Sequence, residues 1–215
     1  MSEWLGNRGA TLIEQLMALL IGAGLIVALY SYFRVELYQA LVLETRTATL
    51  EDGRAALDIM VRDLKESGSW GTGSAPAELG GADDPNSDAD TVCNRIYAAG
   101  ASVVHVQMDL NGNGNCADTE PRENIRYELA GPTSTCAGPN TIRRNGDCLI
   151  ANIVPLAAGK IFTFYDANGA DLGNTPALEA IKRIKIGFNI QVKHPDPHIG
   201  GNMSAALSTS VELRN

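Results

Sequence analysis

The chain begins with a long apolar segment, and its remainder alternates between apolar and polar residues over short runs. Between Gly9 and Phe33 the one charged residue is Glu14. Segment 10–33 forms about 36 Å of helix at 1.5 Å per residue, which exceeds the roughly 30 Å hydrocarbon core of a bilayer. We therefore predict a transmembrane helix. A carboxylate inside it costs about 2.5–3.5 kcal/mol on insertion scales, so Glu14 requires a partner or a function.

Helical periodicity continues beyond the apolar segment. Through residues 34–66 the apolar positions recur at close to 3.6-residue spacing; they are Leu37, Leu41, Ala48, Ala56, Ile59, Met60 and Leu64. No proline interrupts this run, and Gly68 provides a C-terminal stop. The pattern predicts one helix over 10–66, about 57 residues and about 85 Å long. Gly22 and Gly24 are its weak points, because glycine is a poor helix former.

The rest of the chain, 67–215, is predicted to be a β-rich globular domain. Residues 67–91 are rich in Gly, Ser, Asp and Pro and predict a long loop with solvated carboxylates. Several later runs alternate as half-buried antiparallel strands do; the six predicted strands are 101–110, 124–130, 148–156, 161–166, 181–193 and 205–213. The sequence "DANG" at 166–169 predicts a hairpin turn. The predicted fold is α+β, with a long N-terminal helix packed on an antiparallel sheet.

The net charge and the known motifs limit the classes of function that we expect. The formal net charge is −8 and the pI about 4.9, so nucleic acid is not an expected partner. Lys182, Arg183 and Lys185 form at most a small basic patch. The chain lacks the G-x-S-x-G, P-loop, H-E-x-x-H and dinucleotide-binding signatures, and we predict no enzymatic activity.

The histidines do not suggest a catalytic or metal site. His194 and His198 lie in "HPDPH", where two prolines forbid a helix, so a solvated turn is the favoured interpretation. His105 falls in an alternating strand and is predicted to be a surface or edge residue.

All four cysteines follow the apolar segment. An even number in loop-rich sequence behind a membrane signal is typical of two disulfides in an oxidising compartment. Three pairings are possible. We favour Cys136–Cys148, which closes the short loop "CAGPNTIRRNGDC", and this choice leaves Cys93 with Cys116.

The stretch "DLNGNGNCADTE", 109–120, fits the calcium-loop pattern D-x-[DN]-x-[DN]-G-x5-E. Alternate side chains of such a loop point inward as oxygen ligands, glycine permits the sharp turn, and the last carboxylate supplies two oxygens. The predicted calcium ligands are Asp109, Asn111, Asn113, the backbone carbonyl of Asn115, and Glu120. The flanks are strand-like, so this would be an EF-like loop at a hairpin tip. An Asn/Gly-rich turn without an ion is the alternative.

The segment from Gly9 to Glu14, "GATLIE", resembles the type IV prepilin signature. In that family a prepilin peptidase cleaves after the glycine and methylates the new amine. The fifth residue of the mature chain is a glutamate that pairs with an N-terminal amine when subunits dock. The resemblance implies a leader over 1–9, a methylated amine on Ala10, and Glu14 as the assembly residue. Family members usually carry Phe where Ala10 stands. A plain signal anchor is the alternative.

The stretch "RAALDIMVRDLKESG" and the ending "STSVELRN" are similar to minor pilins of the pilus W type and minor pseudopilins of the type II secretion J type. This resemblance implies a minor pilin that helps to initiate pilus assembly at the tip. Its implied partners are other minor pilins, the major pilin, prepilin peptidase, the inner-membrane assembly platform and membrane lipid.

The resemblance also implies a location: the inner membrane, with a periplasmic domain, before assembly, and the pilus surface after it. A minor pseudopilin of a type II secretion system is one alternative. A membrane-anchored calcium-dependent adhesin is another.

Overall fold

The computed structural model describes residues 11–69, 95–112, 122–133, 136, 138, 140–156, 159–195 and 200–213. Its first element is the α-helix α1, Leu12–Glu66. Thr11 caps the start of α1, and Ser67 caps its end with a backbone hydrogen bond to Asp63 O. Gly68 follows at a φ of 72°, a left-handed conformation that glycine adopts without a steric penalty. The predicted helix and its glycine stop are thus confirmed.

The first part of α1 projects from the rest of the protein. No residue of α1 before Gly53 is buried, and the large apolar side chains of its first half are exposed, Leu12 by 77%. The most apolar part of α1 has a mean hydropathy of 2.2, and α1 is long and apolar enough to cross a membrane.

Five antiparallel strands form the first sheet, in the order β1-β2-β3-β4-β5. Each strand pairs with the next along the chain, so this sheet is a meander. The strands are β1 Ile96–Gly100, β2 Val103–Gln107, β3 Asn124–Ala130, β4 Thr141–Arg144 and β5 Asp147–Ala151. The tight β4–β5 hairpin turns at Asn145 and Gly146, both at positive φ (50° and 86°), as a two-residue type I′ turn requires.

Four strands form a second antiparallel sheet around β8. They are β6 Ile153–Pro155, β7 Phe162–Tyr165, β8 Arg183–Lys193 and β9 Asn202–Glu212, and a short 3-10 helix, Leu178–Ala180, precedes β8. β6 and β7 pair with different parts of β8 and therefore lie end to end along one of its edges. β9 covers the whole of the other edge.

The second half of α1 closes the core over both sheets. Met60 and Leu64 are fully buried with apolar residues from both sheets, including Ile125 and Phe188. Nearer the N-terminus of the helix, Gly53 lies against β8 and β9, and a Cβ there would overlap the Cδ1 atoms of Leu207 and Ile190. The amphipathic half of the helix thus packs on antiparallel sheets, as the sequence predicts.

Apart from shifts of up to three residues in strand bounds, the strand predictions differ from the structure in three places. The predicted strand 148–156 is divided at Asn152, whose φ is 60°, so that β5 belongs to the first sheet and β6 to the second. β1 was not predicted, and β4 lies inside the cysteine loop that the sequence left unassigned. The predicted turn at 166–169 is confirmed: Asp166 Oδ1 accepts hydrogen bonds from the N–H groups of Asn168 and Ala170.

Candidate functional site

The N-terminal tip of α1 is built around Glu14. Its Oε2 accepts hydrogen bonds from Thr11 N at 2.9 Å and from Thr11 Oγ1 at 3.2 Å, while Glu14 N donates to Thr11 Oγ1 at 3.4 Å. This reciprocal arrangement is a capping box, which satisfies N–H groups that have no partner within the helix. A carboxylate here also complements the positive end of the helix dipole. The Glu14 carboxylate therefore turns back toward the start of the chain.

Gly9 and Ala10, the predicted cleavage and methylation positions, lie outside the described residues. The Thr11 nitrogen that donates to Glu14 is also the nitrogen of the peptide bond between residue 10 and Thr11. The carboxylate thus lies one residue away from the amine that cleavage after Gly9 would create. The sequence alone placed Glu14 in the apolar segment, and the structure adds the direction of its side chain.

The exposed surface behind this tip is apolar and long. Among its exposed side chains are Ile13, Leu16, Leu20, Ile26 and Phe33, each more than half accessible. A contiguous apolar surface of this extent is not stable in water and marks a contact with lipid or protein. The helical backbone satisfies its own hydrogen bonds, so α1 suits the interior of a bilayer.

The start of the predicted calcium loop lies directly after β2. Asp109 is 1% exposed, and its Oδ1 accepts a hydrogen bond from Gly112 N at 2.7 Å. Glu123 is 2% exposed, and its Oε1 accepts from both Leu110 N and Asn111 N at 2.8 Å. Two buried carboxylates thus hold the first turn of this loop by its backbone N–H groups.

Glu123 was missed by the sequence analysis, although its position just before a strongly patterned strand was a usable signal. Of the five predicted ligands, the structure describes Asp109 and Asn111. The other three, Asn113, Asn115 and Glu120, lie outside the described residues. Within the described part of the chain, no three His, Cys, Asp or Glu side chains form a group suited to a metal ion.

This loop is attached to the C-terminal end of α1. Asp109 N donates to Ser69 O at 2.9 Å, and Gly68 N donates to Gln107 O at 3.1 Å. Since α1 extends about 80 Å at 1.5 Å per residue, the loop and Glu14 lie at opposite ends of the molecule. The tip of the helix and the loop are therefore separate sites.

A buried polar cluster fastens α1 to the first sheet. Asp63 is 2% exposed, and its Oδ2 accepts hydrogen bonds from the fully buried Tyr127 hydroxyl at 2.6 Å and from Arg144 Nε at 2.8 Å. Burial, and then the hydrogen bond and charge of Asp63, raise the pKa of Tyr127 well above its usual value. Burial alone would lower the pKa of Arg144, but its hydrogen bond and attraction to Asp63 raise it on balance.

The cluster was not predicted from the sequence, because Tyr127 and Arg144 lie 64 and 81 residues after Asp63. A charged residue on the apolar face of a helix is a general signal of a buried polar contact. Asp63 lies on the buried face of α1 together with Met60 and Leu64. Since Asp63 and Tyr127 are buried and their bonds join the helix to the sheet, we interpret the cluster as structural.

The disulfide Cys136–Cys148 is present, with a Cα–Cα distance of 5.3 Å, and confirms the favoured pairing. It ties the segment before β4 to β5, across the loop that contains β4. Cys93 and Cys116 lie outside the described residues.

His105 is half-buried, which agrees with the surface alternative of the prediction but not with the edge alternative. β2 lies between β1 and β3, so His105 is not at a sheet edge. Its Nε2 forms a hydrogen bond with Asn124 Oδ1, and its ring meets the Tyr97 ring with centroids 4.8 Å apart. His194 follows β8, and its N–H donates to Gly201 O; His198 lies outside the described residues.

The basic run around the start of β8 contacts β7 at Tyr165. The guanidinium of Arg183 lies over the Tyr165 ring, 4.6 Å from its centroid. Lys182 N donates to Tyr165 O, which fixes the backbone at the same place.

Comparisons with protein-family models, curated proteins and solved structures give no match to this chain. The architecture itself is pilin-like: one long apolar N-terminal helix packs on antiparallel sheets. With its exposed helix and acidic tip, the chain carries a globular domain on a helix that is long and apolar enough to cross a membrane.

Proposed function

We propose that this protein is a minor pilin, a structural subunit that enters a type IV pilus through α1 and helps to initiate its assembly at the tip. The observation that carries the proposal is the exposed apolar half of α1 with Glu14 at its end. No other carboxylate or base interrupts that surface before Arg34. Such a surface is suited first to lipid and then to the helices of neighbouring subunits.

In this proposal Glu14 has a different partner before and after processing. Before cleavage its carboxylate caps α1 through Thr11. Prepilin peptidase then cleaves after Gly9, and the methylated amine of Ala10 becomes a cation close to Glu14, on the same chain or a neighbouring one. Pairing offsets the cost of a carboxylate in a low-dielectric layer. Docking with the major pilin and other minor pilins at the inner-membrane assembly platform brings these groups together.

The first test is the mass of the N-terminal peptide of the native protein extracted from membranes. The proposal expects a chain that begins at methylated Ala10. A chain that still begins at Met1 or Ser2 would identify a signal anchor and remove the filament interpretation.

The second test exchanges Glu14→Gln, with Glu36→Gln as the matched control on an exposed part of the same helix. Loss of one partner of a buried charge pair costs about 3–5 kcal/mol, which is more than about 100-fold in an equilibrium. We expect E14Q to be cleaved normally but to fall to trace levels in sheared filaments, whereas E36Q is incorporated like the wild type. Equal incorporation of the two variants would contradict the role of Glu14.

A deletion strain distinguishes the alternatives that share this architecture. Loss of surface pili is the expected result. Normal pili with failed protein export would instead identify a minor pseudopilin of a type II secretion system. Surface binding that survives Glu14→Ala would identify a membrane-anchored calcium-dependent adhesin.

We also propose that the loop beginning at Asp109 binds calcium. The buried carboxylates of Asp109 and Glu123 already order its first turn by accepting backbone N–H groups. Asn111, Asn113, Asn115 and Glu120 complete the proposed oxygen ligand set, and calcium would stabilise the loop. Its two neutral asparagine side chains favour a modest affinity suited to extracellular calcium.

A calcium titration of the thermal unfolding midpoint tests this site. We expect calcium to raise the midpoint of the full chain and Glu120→Gln to abolish the increase. Glu179→Gln, at an exposed carboxylate in the 3-10 helix, is the control and should leave the increase intact. An unchanged midpoint in millimolar calcium would show that the loop is a turn that needs no ion.

A further inference from the structure

Two carboxylates with almost no exposure lie at the two ends of the loop between β2 and β3. Asp109 follows β2 and is 1% exposed, and Glu123 directly precedes β3 and is 2% exposed. The pairing of β2 with β3 brings the two ends together, because Gln107 pairs with Asn124 and Met108 N donates to Glu123 O at 2.8 Å. Each end of the loop thus contributes one buried acid to the same place.

Both carboxylates bind the same short stretch of backbone. Glu123 Oε1 accepts hydrogen bonds from Leu110 N and Asn111 N, both at 2.8 Å. Asp109 Oδ1 accepts from Gly112 N at 2.7 Å. Because the three donor N–H groups are consecutive along the chain, the two carboxylates lie beside each other.

These hydrogen bonds use only one oxygen of Glu123. An ionised carboxylate has about four sites at which it can accept, two on each oxygen. Both bonds from the loop go to Oε1, whereas Oε2 is buried and accepts no hydrogen bond. The carboxylate of Glu123 is therefore fixed in the loop by one oxygen, and its second oxygen keeps its capacity to bind.

The burial of two neighbouring carboxylates favours a cation between them. Charged groups that are withheld from water normally pair with opposite charges or coordinate metal ions. Two carboxylates at one place also repel each other. A divalent cation with oxygen ligands compensates both charges at once, and calcium is an ion that binds carboxylate and amide oxygens.

We propose that Glu123 binds the calcium ion directly through Oε2, as a ligand from outside the pattern D-x-[DN]-x-[DN]-G-x5-E. This inference rests on the calcium site proposed above, and it adds a carboxylate that the pattern does not contain. Calcium takes about six to eight oxygen ligands, and its affinity depends on the number of charged ligands. Glu123 thus has two roles: Oε1 orders the backbone of the loop, and Oε2 raises the affinity for the ion.

The alternative is a purely structural Glu123 that only holds the N–H groups of Leu110 and Asn111. Glu123→Gln separates the two roles. A glutamine keeps a side-chain oxygen for these N–H groups, but it replaces the second carboxylate oxygen by an amide nitrogen, which cannot bind a cation. Glu179→Gln, the same change at an exposed carboxylate in the 3-10 helix, is the matched control.

Two measurements on the full chain in detergent micelles test the proposal. In calcium titration calorimetry, we expect E123Q to raise the Kd at least about tenfold and to change the calcium-free unfolding midpoint little, and E179Q to change neither. Terbium, which occupies calcium sites, reports the ligands themselves, because its luminescence lifetimes in H2O and D2O count the water molecules bound to it. The loss of one ligand oxygen in E123Q should admit about one further water molecule.

The outcomes distinguish this inference from the calcium site on which it rests. Absence of calcium binding by the wild-type chain would refute the site itself, and the inference with it. Equal calcium affinity of the wild type and E123Q would refute only the role of Glu123. A weaker affinity with an unchanged number of bound water molecules would also overturn the proposal, because Glu123 would then position the loop without contacting the ion.

A measurement on the wild-type chain covers the case in which E123Q does not fold. In carbon-13 NMR spectra of the full chain, the side-chain carboxyl resonance of Glu123 should shift when calcium is added, and that of Glu179 should not. A Glu123 resonance that calcium leaves in place would refute direct coordination.

Discussion

The Asp63 cluster allows a quantitative prediction, because its three side chains differ in burial and in the bonds they make. Asp63→Ala removes the carboxylate that accepts from Tyr127 Oη at 2.6 Å and from Arg144 Nε at 2.8 Å. The Tyr127 hydroxyl would then be buried without its acceptor. The Arg144 side chain is 30% exposed, so water can reach the guanidinium.

These differences set the expected free energies. Removing one partner of a buried ion pair costs about 3–5 kcal/mol, and the partial exposure of Arg144 places D63A near the lower end, about 3 kcal/mol. Tyr127→Phe removes one hydrogen bond to a charged acceptor, worth about 1.5–3 kcal/mol, while Arg144 still neutralises Asp63. Each loss is a substantial fraction of the total free energy of unfolding of a typical domain, about 5–15 kcal/mol.

Arg62→Ala is the matched control. Arg62 Nε lies 3.5 Å from Asp63 Oδ1, but its side chain is 65% exposed. Exposed ion pairs contribute about 0–1 kcal/mol, so R62A should change the stability little. The three variants thus separate the buried bonds of Asp63 from its surface contact.

The assay is denaturant unfolding of the full chain in detergent micelles, followed by circular dichroism and analysed as a free energy of unfolding. A double-mutant cycle between Asp63→Ala and Tyr127→Phe should give a non-zero coupling energy, because the two side chains share one hydrogen bond. If D63A costs less than about 1 kcal/mol, or if R62A costs as much as D63A, the cluster does not fasten α1 to the first sheet.

Other parts of the structure give further predictions. The pKa of Tyr127 is higher in the folded chain than its usual value, so its contribution to the free energy of unfolding is complete below about pH 10 and is lost as the pH rises above that value. In a series of unfolding experiments at increasing pH, Tyr127→Phe should reduce this alkaline loss of stability. Replacing both Cys136 and Cys148 by Ser opens the loop between two residues 12 positions apart and should lower the free energy of unfolding by about 3 kcal/mol. An unchanged free energy of unfolding would contradict this prediction. Gly68→Ala should cost about 1–2 kcal/mol, because the φ of Gly68 is 72°, whereas Gly24→Ala, in a regular exposed helix with open space around it, should not destabilise the chain.

Local patterns determined a large part of this fold. The apolar run after Gly9 and the 3.6-residue periodicity after Phe33 predicted α1 to within two residues, because a helix is specified by neighbours in sequence. The strand 124–130 was predicted with its observed bounds, since its apolar residues alternate and polar loops flank it. The "NG" at 145–146 is a local signal for the β4–β5 hairpin, although no strand was predicted on either side of it.

The division of strands between the two sheets and the contacts between distant residues depend on the tertiary structure. The apolar run 148–156 is strand-like throughout, and only the positions of both sheets show that Asn152 divides it. The site beside Asp109 was predicted as a ligand pattern, but the role of Glu123 depends on how β3 returns beside β2.

By itself, the sequence predicted a long membrane-capable helix with an acid at its tip and a β-rich domain, and it favoured a disulfide between Cys136 and Cys148 among three possible pairings. Only the tertiary structure decided which residues meet at long range. Asp63 contacts Tyr127 and Arg144 across 64 and 81 residues. β6 pairs with β8, and not with β7, its nearer neighbour in sequence. The physical reason is that helix periodicity and turn chemistry act between near neighbours, whereas strand order and buried pairing depend on the packing of the whole domain.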